Sequence, residues 1–139
     1  MTTTLAELSG RQGLRKSMSA KHSLTAILPC NNVAASATFY ARLGFTHQDG
    51  NGDYLMLSDG KGGEIHLTNA VEGWLIPGQN PFGLYLYTED VDGLASSLCD
   101  LALSKPEDKP WGMYEFALSD PDETLVRIGW PTRLRSSTK

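Results

Sequence analysis

The feature that restricts the fold of this chain of 139 residues most strongly is an internal repeat. Three segments of the first half recur in the second half: residues 25–33 at an offset of 58, and residues 57–59 and 65–67 at an offset of 61. The segments keep their order, and the last two share one offset without a gap. Self-similarity of this kind predicts two copies of one supersecondary unit, so each half should contain the same elements in the same order.

The first half begins with the pattern of a strand followed by a helix. Residues 24–28 are an apolar run, Asn31 or Asn32 can cap a helix, and Gly44 supplies the left-handed residue that ends it. Pro29 has no N–H group, so the strand should end there or lie at the edge of its sheet. The first half therefore opens with a β-strand, a tight connection and a helix.

Strand and turn signals alternate through the rest of each half. In the first half they predict an extended segment, a turn and a hairpin, over residues 45–48, 49–53 and 54–68. In the second half they predict a strand, a helix capped by Asp90, a polar loop and a final hairpin, over residues 83–88, 91–101, 105–110 and 113–129. Each half is thus predicted to be βαβββ-like, which gives an α+β fold of two modules.

The chain is expected to divide into an extension, two modules joined by a linker, and a tail, over residues 1–22, 23–70, 71–81, 82–131 and 132–139. The extension is polar and basic without an apolar segment, so we expect it to be flexible and not to be a secretory signal. Met18 lies just before the first strand and is an alternative translation start to Met1.

Composition narrows the possible partners. The net charge of −4 argues against a nucleic-acid partner, which normally requires a basic face, and mildly favours neutral or cationic ligands. No apolar run approaches the roughly 20 residues needed to cross a bilayer, so no membrane partner is expected. Cys30 and Cys99 form no metal or redox motif, which predicts reduced thiols and a cytoplasmic protein.

Alternation along the strands assigns residues to two faces of each sheet. The apolar residues that should pack against the helices are Ala26, Leu28, Leu55, Leu57, Ile65, Leu67, Leu84, Leu86, Phe116, Leu118, Val126 and Ile128. The opposite face should carry Thr25, Ile27, Tyr54, Met56, Glu64, His66, Tyr85, Tyr87, Glu115, Ala117, Leu125 and Arg127. We call this second face the open face. Aromatic rings beside a few charges predict a cupped sheet that holds a ligand or is covered by a partner chain.

The motifs resemble those of the vicinal oxygen chelate superfamily, also called the glyoxalase/bleomycin resistance protein/dioxygenase superfamily. The resemblance covers about residues 23–131 and is carried by five motifs, which lie at residues 28–29, 39–45, 63–67, 111–112 and 116–122. The Leu-Pro and Trp-Gly pairs are most similar to bleomycin resistance proteins. The resemblance implies paired βαβββ modules with helices on the outer face of a cupped mixed sheet. One departure is Glu123, where the family turn usually has Gly.

The resemblance also locates the metal ligands of the superfamily's enzymes, which use four side chains. They fall at Thr25, His66, Gly83 and Arg127. Gly83 has no side chain and Arg127 carries a permanent positive charge, so His66 is the only good ligand among the four. Because a catalytic zinc site normally has three protein ligands, we expect neither a metal nor another cofactor.

The open face and its surroundings supply the predicted ligand-binding residues, which are His66, Tyr85, Tyr87, Trp111, Glu115, Arg127, Tyr54, Met56 and Trp74. Trp111 is interpreted either as a core residue or as an aromatic plate at the rim of the cup. Trp74 is interpreted as a lid, or alternatively as a plug over the sheet. Glu115 could form an acid–base pair with His66, or an ion pair with Arg127. No catalytic residue is assigned.

The first hypothesis is a metal-independent binding protein, similar to bleomycin resistance proteins. It would sequester a planar or cationic small molecule, for which a bleomycin-like compound is one candidate, in the cup of a homodimer. The alternative is a metal-dependent glyoxalase, dioxygenase or thiol transferase of the same superfamily. A third possibility is that the open face serves only for dimerisation.

Overall fold

The computed structural model describes residues 22–136, and the chain divides between Ile76 and Pro77 into two compact units. Residues 1–21 lie outside the described residues. The expectations of a flexible extension and of a translation start at Met18 therefore concern a part of the chain that the structure does not describe. No helix among residues 22–136 is long and apolar enough to span a bilayer.

The first unit contains one helix and a four-stranded sheet. Its elements in chain order are β1 (Ala26–Cys30), α1 (Val33–Arg42), β2 (Thr46–Asn51), β3 (Tyr54–Ser58) and β4 (Glu64–Asn69). The strand order in the sheet is β1-β4-β3-β2. β1 runs parallel to β4, whereas the other pairs are antiparallel. Pro29 lies inside β1, which is tolerated because β1 is an edge strand.

The second unit repeats this arrangement. Its elements are β5 (Gly83–Tyr87), α2 (Val91–Ser97), β6 (Glu107–Asp108), β7 (Met113–Ser119) and β8 (Leu125–Pro131), followed by a short 3₁₀ helix (Thr132–Leu134). The strand order is β5-β8-β7-β6, with β5 parallel to β8. The predicted α+β fold of two βαβββ modules is therefore confirmed.

The pairing register preserves the repeat seen in the sequence. In the first unit His66 is paired with Ile27 on one side and with Met56 on the other. In the second unit Arg127 is paired in the same way with Tyr85 and Ala117. These are the residues that the offsets of 58 and 61 superpose. Equivalent positions of the two sequences thus occupy equivalent positions of the two sheets.

Each sheet packs one face against its own helix. In the first unit α1 buries Phe39 and Tyr40 on the side of Leu57, Ile65 and Leu67, which are also buried. In the second unit four of the strand residues predicted to face the helix are buried, namely Phe116, Leu118, Val126 and Ile128, whereas Leu84 and Leu86 are partly buried. Removal of this apolar surface from water is what holds the sheet and helix of each unit together.

The helix boundaries follow the predicted caps. The side chain of Asn32 accepts a hydrogen bond from the backbone N–H of Ala35 at 3.0 Å. Gly44 follows α1 with a φ of +96°, the left-handed conformation expected of the residue that ends this helix. Asp90 caps α2 by accepting from the N–H of Gly93 at 3.2 Å.

Three boundaries differ from the predictions. The predicted turn at 49–53 is partly strand, because β2 continues to Asn51 past an irregularity between His47 and Asp49, and Gly50, at a φ of +100°, is paired with Leu55. The predicted loop at 105–110 contains β6, a pairing of two residues that needs no apolar side chain. α2 ends at Ser97, and Leu101 instead donates to the carbonyl of Leu98 in the following turn.

Candidate functional site

The open face of the second unit is organised around the carboxylate of Glu115, whose residue is only 3% exposed. Oε1 of Glu115 accepts a hydrogen bond from the hydroxyl of Tyr85 at 2.7 Å and from Nε1 of Trp111 at 3.2 Å. Tyr85 comes from β5, Glu115 from β7, and Trp111 from the turn before β7. Three predicted site residues are therefore joined in one hydrogen-bonded cluster.

Gly129 makes room for this cluster. It pairs with Tyr87 on one side and with Glu115 on the other. A Cβ atom at position 129 would lie 2.2 Å from the Tyr85 hydroxyl and 2.8 Å from Cβ of Glu115. Only glycine therefore lets the Tyr85 side chain cross β8 to reach Glu115. Burial of Tyr85, followed by its hydrogen bond to Glu115, raises the pKa of its phenol well above the ordinary value.

The ion pair between Glu115 and Arg127, which was one of two alternatives for Glu115, is not found within residues 22–136. In the register Arg127 lies between Tyr85 and Ala117 whereas Glu115 lies opposite Gly129, so the two residues are diagonal and not direct neighbours. The oxygen of Glu115 is engaged by Tyr85 and Trp111 instead. Arg127 is left exposed on the same face.

Aromatic rings border the cluster and are open to solvent. Tyr87 is 61% exposed and Trp111 is 59% exposed, so Trp111 is not a core residue. The rings of Tyr85 and Tyr87 have centroids 4.6 Å apart and are tilted by 37°. A cavity of about 130 Å³ lies beside Trp111 and Glu115, and its lining also includes Lys109, Leu125 and Arg127. Lys109 is already paired with Glu107 at 2.7 Å.

The open face of the first unit holds a second, smaller cluster. The hydroxyl of Tyr54 and Nδ1 of His66 share a hydrogen bond of 2.7 Å, and their rings meet edge to face with centroids 5.2 Å apart. Met56 lies beside His66 in the pairing register, followed on the other side by Ile27, which is 57% exposed. Burial lowers the pKa of His66 from its ordinary value, which favours the neutral imidazole.

Glu64 belongs to this site, although the sequence interpretation left it out of the binding set. It precedes His66 by two residues in β4 and so shares its face. Its Oε2 atom is buried and has no hydrogen-bond partner among the described residues. Burial, and then the nearby charge of Asp59, raise the pKa of Glu64 above 4.5. The sequence pattern could have indicated Glu64 through its position on the open face. That its carboxylate oxygen is buried without a partner is visible only in the structure.

The remaining predicted residues have less defined surroundings. Trp74 is 61% exposed in the turn after β4, which argues against a plug over the sheet, and its role as a lid stays a prediction. His66 and Glu115 belong to different units, so their acid–base pairing also stays a prediction.

The residues at the superfamily's metal-ligand positions do not fit a divalent ion. Thr25, Gly83 and Arg127 offer no imidazole, carboxylate or thiolate, and Nδ1 of His66 is engaged by Tyr54. Among residues 22–136, no three His, Cys, Asp or Glu side chains come together in a group that could hold a metal.

No protein-family model matches the chain, and no curated protein matches it. Several solved structures, by contrast, match the chain. A bleomycin-binding protein in complex with bleomycin has 26% sequence identity to the chain and a TM-score of 0.68, and the match covers 78% of this chain and 98% of that one. A bleomycin resistance determinant encoded on the transposon Tn5 has 26% identity and a TM-score of 0.69, covering 79% and 98% of the two chains.

A more distant structure shares the fold. A glyoxalase/bleomycin resistance protein/dioxygenase from Alicyclobacillus acidocaldarius has 16% identity and a TM-score of 0.64, covering 79% of this chain and 91% of that one. The resemblance read from the motifs is thereby confirmed. We therefore assign the chain to the glyoxalase/bleomycin resistance protein/dioxygenase superfamily, in which the bleomycin resistance proteins are the members that it resembles.

Proposed function

We propose that this protein binds and sequesters a planar or cationic small molecule on the open faces of its sheets, as a homodimer and without metal-dependent chemistry. The observation that carries the proposal is the cluster around Glu115, where a buried carboxylate lies beside the exposed rings of Trp111 and Tyr87. Rings that are held in place but left uncovered can stack on a planar ligand, and they attract a cation to their faces.

The charges of the two faces favour particular ligand groups. In the second unit Glu115 and Arg127 provide one negative and one positive side chain, so a ligand there should offer both a donor and an acceptor. In the first unit Glu64 is negative and His66 favours its neutral form, so that face attracts positive groups. A bleomycin-like molecule is the first candidate, since a solved relative with 26% identity binds bleomycin.

Two further features support the dimer and the absence of a metal. Ile27, Tyr87 and Trp111 are large apolar or aromatic residues that are more than half exposed, and such surface on a folded protein is typical of an interaction site. At the metal-ligand positions Gly83 provides no ligand and Arg127 repels a cation. We infer that a second chain covers part of the open faces while the ligand occupies the rest.

Titration calorimetry with bleomycin tests the role of the cluster. Glu115→Gln keeps the shape of the side chain and its bond from Tyr85 but removes the charge, and we expect it to weaken binding about ten-fold or more. The matched control is Glu89→Gln, since Glu89 is an exposed glutamate of the same unit that does not line this cavity. Equal affinities for the two variants would contradict the proposed role of Glu115.

The same titration separates stacking from hydrogen bonding at Trp111. Trp111→Ala removes both the ring and the N–H that donates to Glu115, whereas Trp111→Phe retains an aromatic face. We expect the alanine variant to bind at least ten-fold more weakly than the wild type and the phenylalanine variant to retain most of the affinity. If both variants bound like the wild type, Trp111 would not be part of the ligand site.

A further inference from the structure

A second cavity lies on the other face of the second sheet. It has a volume of about 300 Å³ and is lined by residues that include Glu89, Asp92, Tyr114, Trp130 and Arg135. Tyr114 and Trp130 are paired with each other and alternate along their strands with Glu115 and Gly129. They therefore face the side of the sheet that carries α2, away from the proposed ligand site.

One wall of this cavity is a fixed cluster of three side chains. The hydroxyl of Tyr114 donates to Oδ1 of Asp92 at 2.5 Å, and Arg135 lies 3.5 Å from Oδ2 of the same carboxylate. The guanidinium of Arg135 also stacks on the Tyr114 ring at 3.4 Å from its centroid. Burial and the bond to Asp92 raise the pKa of Tyr114, which therefore stays a neutral donor. Asp92 and Arg135 thus neutralise each other.

The negative charge of Glu89 is not neutralised in this way by a neighbouring cation. Among the described residues, none forms a hydrogen bond or an ion pair with the Glu89 side chain. The charged groups of the lining are Glu89, Asp92 and Arg135, which leaves one net negative charge. Apart from Ser136, the rest of the wall is aromatic or apolar, and the indole of Trp130 provides the ring that attracts cations best. The cavity therefore combines one unpaired carboxylate with surfaces for an apolar body.

We propose that this cavity binds a small organic ammonium ion, whose positive group pairs with Glu89 and whose apolar body lies against Trp130 and Leu134. The site is separate from the one in the proposed function, since it lies on the helix-bearing face of the sheet. A volume of about 300 Å³ accommodates an arylalkylamine but is small for a larger ligand. Because Glu89 is exposed, the ion pair is weak and the affinity should be modest.

The test is an NMR titration of the isotopically labelled full chain with phenethylamine, compared with the neutral analogue 2-phenylethanol. We expect the amine to shift the backbone amide signals of Glu89, Asp92, Trp130 and Arg135 in a saturable way, and the alcohol to bind several-fold more weakly. Glu89→Gln should weaken amine binding about three- to five-fold, which corresponds to the upper range for an exposed ion pair. Glu72→Gln, at an exposed position of the other unit, should leave it unchanged.

Four results would overturn the inference. The amine and the alcohol could bind equally well, or Glu89→Gln could bind the amine like the wild type; either would remove the carboxylate from recognition. Shifts confined to Tyr85, Trp111 and Glu115, with binding lost in Glu115→Gln, would place the amine at the other site. Absence of any saturable shift would mean that Asp92, Tyr114 and Arg135 only fasten the end of the chain to the sheet. Failure of bleomycin binding, by contrast, would leave this inference intact.

Discussion

Gly129 is the residue on which the geometry of the Glu115 cluster depends. Its missing side chain leaves the space through which the Tyr85 hydroxyl reaches the carboxylate. We predict that Gly129→Ala lowers the free energy of unfolding by about 1–3 kcal/mol, the usual cost of forcing an atom into packed surroundings. It should also lower the pKa of Tyr85 towards the ordinary value, because the bond to Glu115 is displaced. Urea denaturation and absorbance titration of tyrosine measure the two effects.

The control for Gly129→Ala is the same substitution in a Tyr85→Phe background. The phenylalanine lacks the hydroxyl that would lie nearest to the new methyl group, so the added cost of Gly129→Ala should fall. An equal cost in both backgrounds would mean that Gly129 does not act through Tyr85.

Glu64 offers a pH-dependent test at the residue scale. Because folding raises its pKa above 4.5, the charged carboxylate destabilises the folded state at neutral pH. This penalty is fully present above the folded-state pKa and disappears as the pH falls below 4.5, where Glu64 is protonated in both states. We predict that Glu64→Gln raises the midpoint of urea unfolding at pH 7, and that the gain shrinks to nothing in acid.

The matched control for this variant is Glu72→Gln, at an exposed position of the same unit, which should change the midpoint little at either pH. A lower midpoint for Glu64→Gln at pH 7 would show that its carboxylate is stabilised by the fold and not strained by it.

The sequence could predict which residues share the open face, because alternation along a strand is a local property. It placed Tyr85, Glu115 and Arg127 together on this basis, and the strands carry them on one face. It could not predict the partner of Glu115. That choice depends on a Trp111 side chain that reaches back from outside the strand.

At the scale of elements, the turn between β7 and β8 contains a conformation that glycine usually adopts. Glu123 has a φ of +67°, the positive φ anticipated where the family turn has Gly. Its carboxylate accepts a hydrogen bond from the backbone N–H of Gly78. The turn is also held by Asp120, whose Oδ1 accepts from the N–H groups of Asp122 and Thr124 at 2.8 and 2.9 Å. The contact with Gly78 thus offsets the backbone cost.

This balance predicts different outcomes for two substitutions. Glu123→Ala loses the bond to Gly78 and keeps the unfavourable φ, so it should destabilise the protein by about 1 kcal/mol. Glu123→Gly loses the same bond but relieves the backbone, so it should be close to neutral. Thermal unfolding of both variants gives the difference. If the glycine variant were as unstable as the alanine variant, the left-handed conformation would carry no cost.

The sequence could predict which helices and strands exist, but not the residues at which they begin and end. The apolar alternation and the caps at Asn32 and Asp90 define the helices and most strands from local patterns. β6 escapes such patterns because Glu107 and Asp108 pair only through their backbone at a sheet edge. β2 extends through Gly50, which would normally indicate a turn but here is paired with Leu55 of the neighbouring strand.

At the scale of the whole molecule, the proposed homodimer follows from the uncovered residues of the open faces. We predict that sedimentation equilibrium gives twice the mass of the chain, which is 15.1 kDa. Ile27→Glu should shift the equilibrium towards the monomer, because it introduces a charge at an exposed apolar position of the open face. Val71→Glu, at an exposed position between the modules, is the control. A monomer at all concentrations would remove the second chain from the proposal.

The central claim is that the open faces capture a small molecule with rings and carboxylates and need no metal to do so. Equilibrium dialysis of chelator-treated protein against metal-free bleomycin measures this directly. The account predicts saturable binding that is unchanged when zinc, iron or manganese is added back to the protein. Binding that is absent from the treated protein and restored by one of these metals would contradict it.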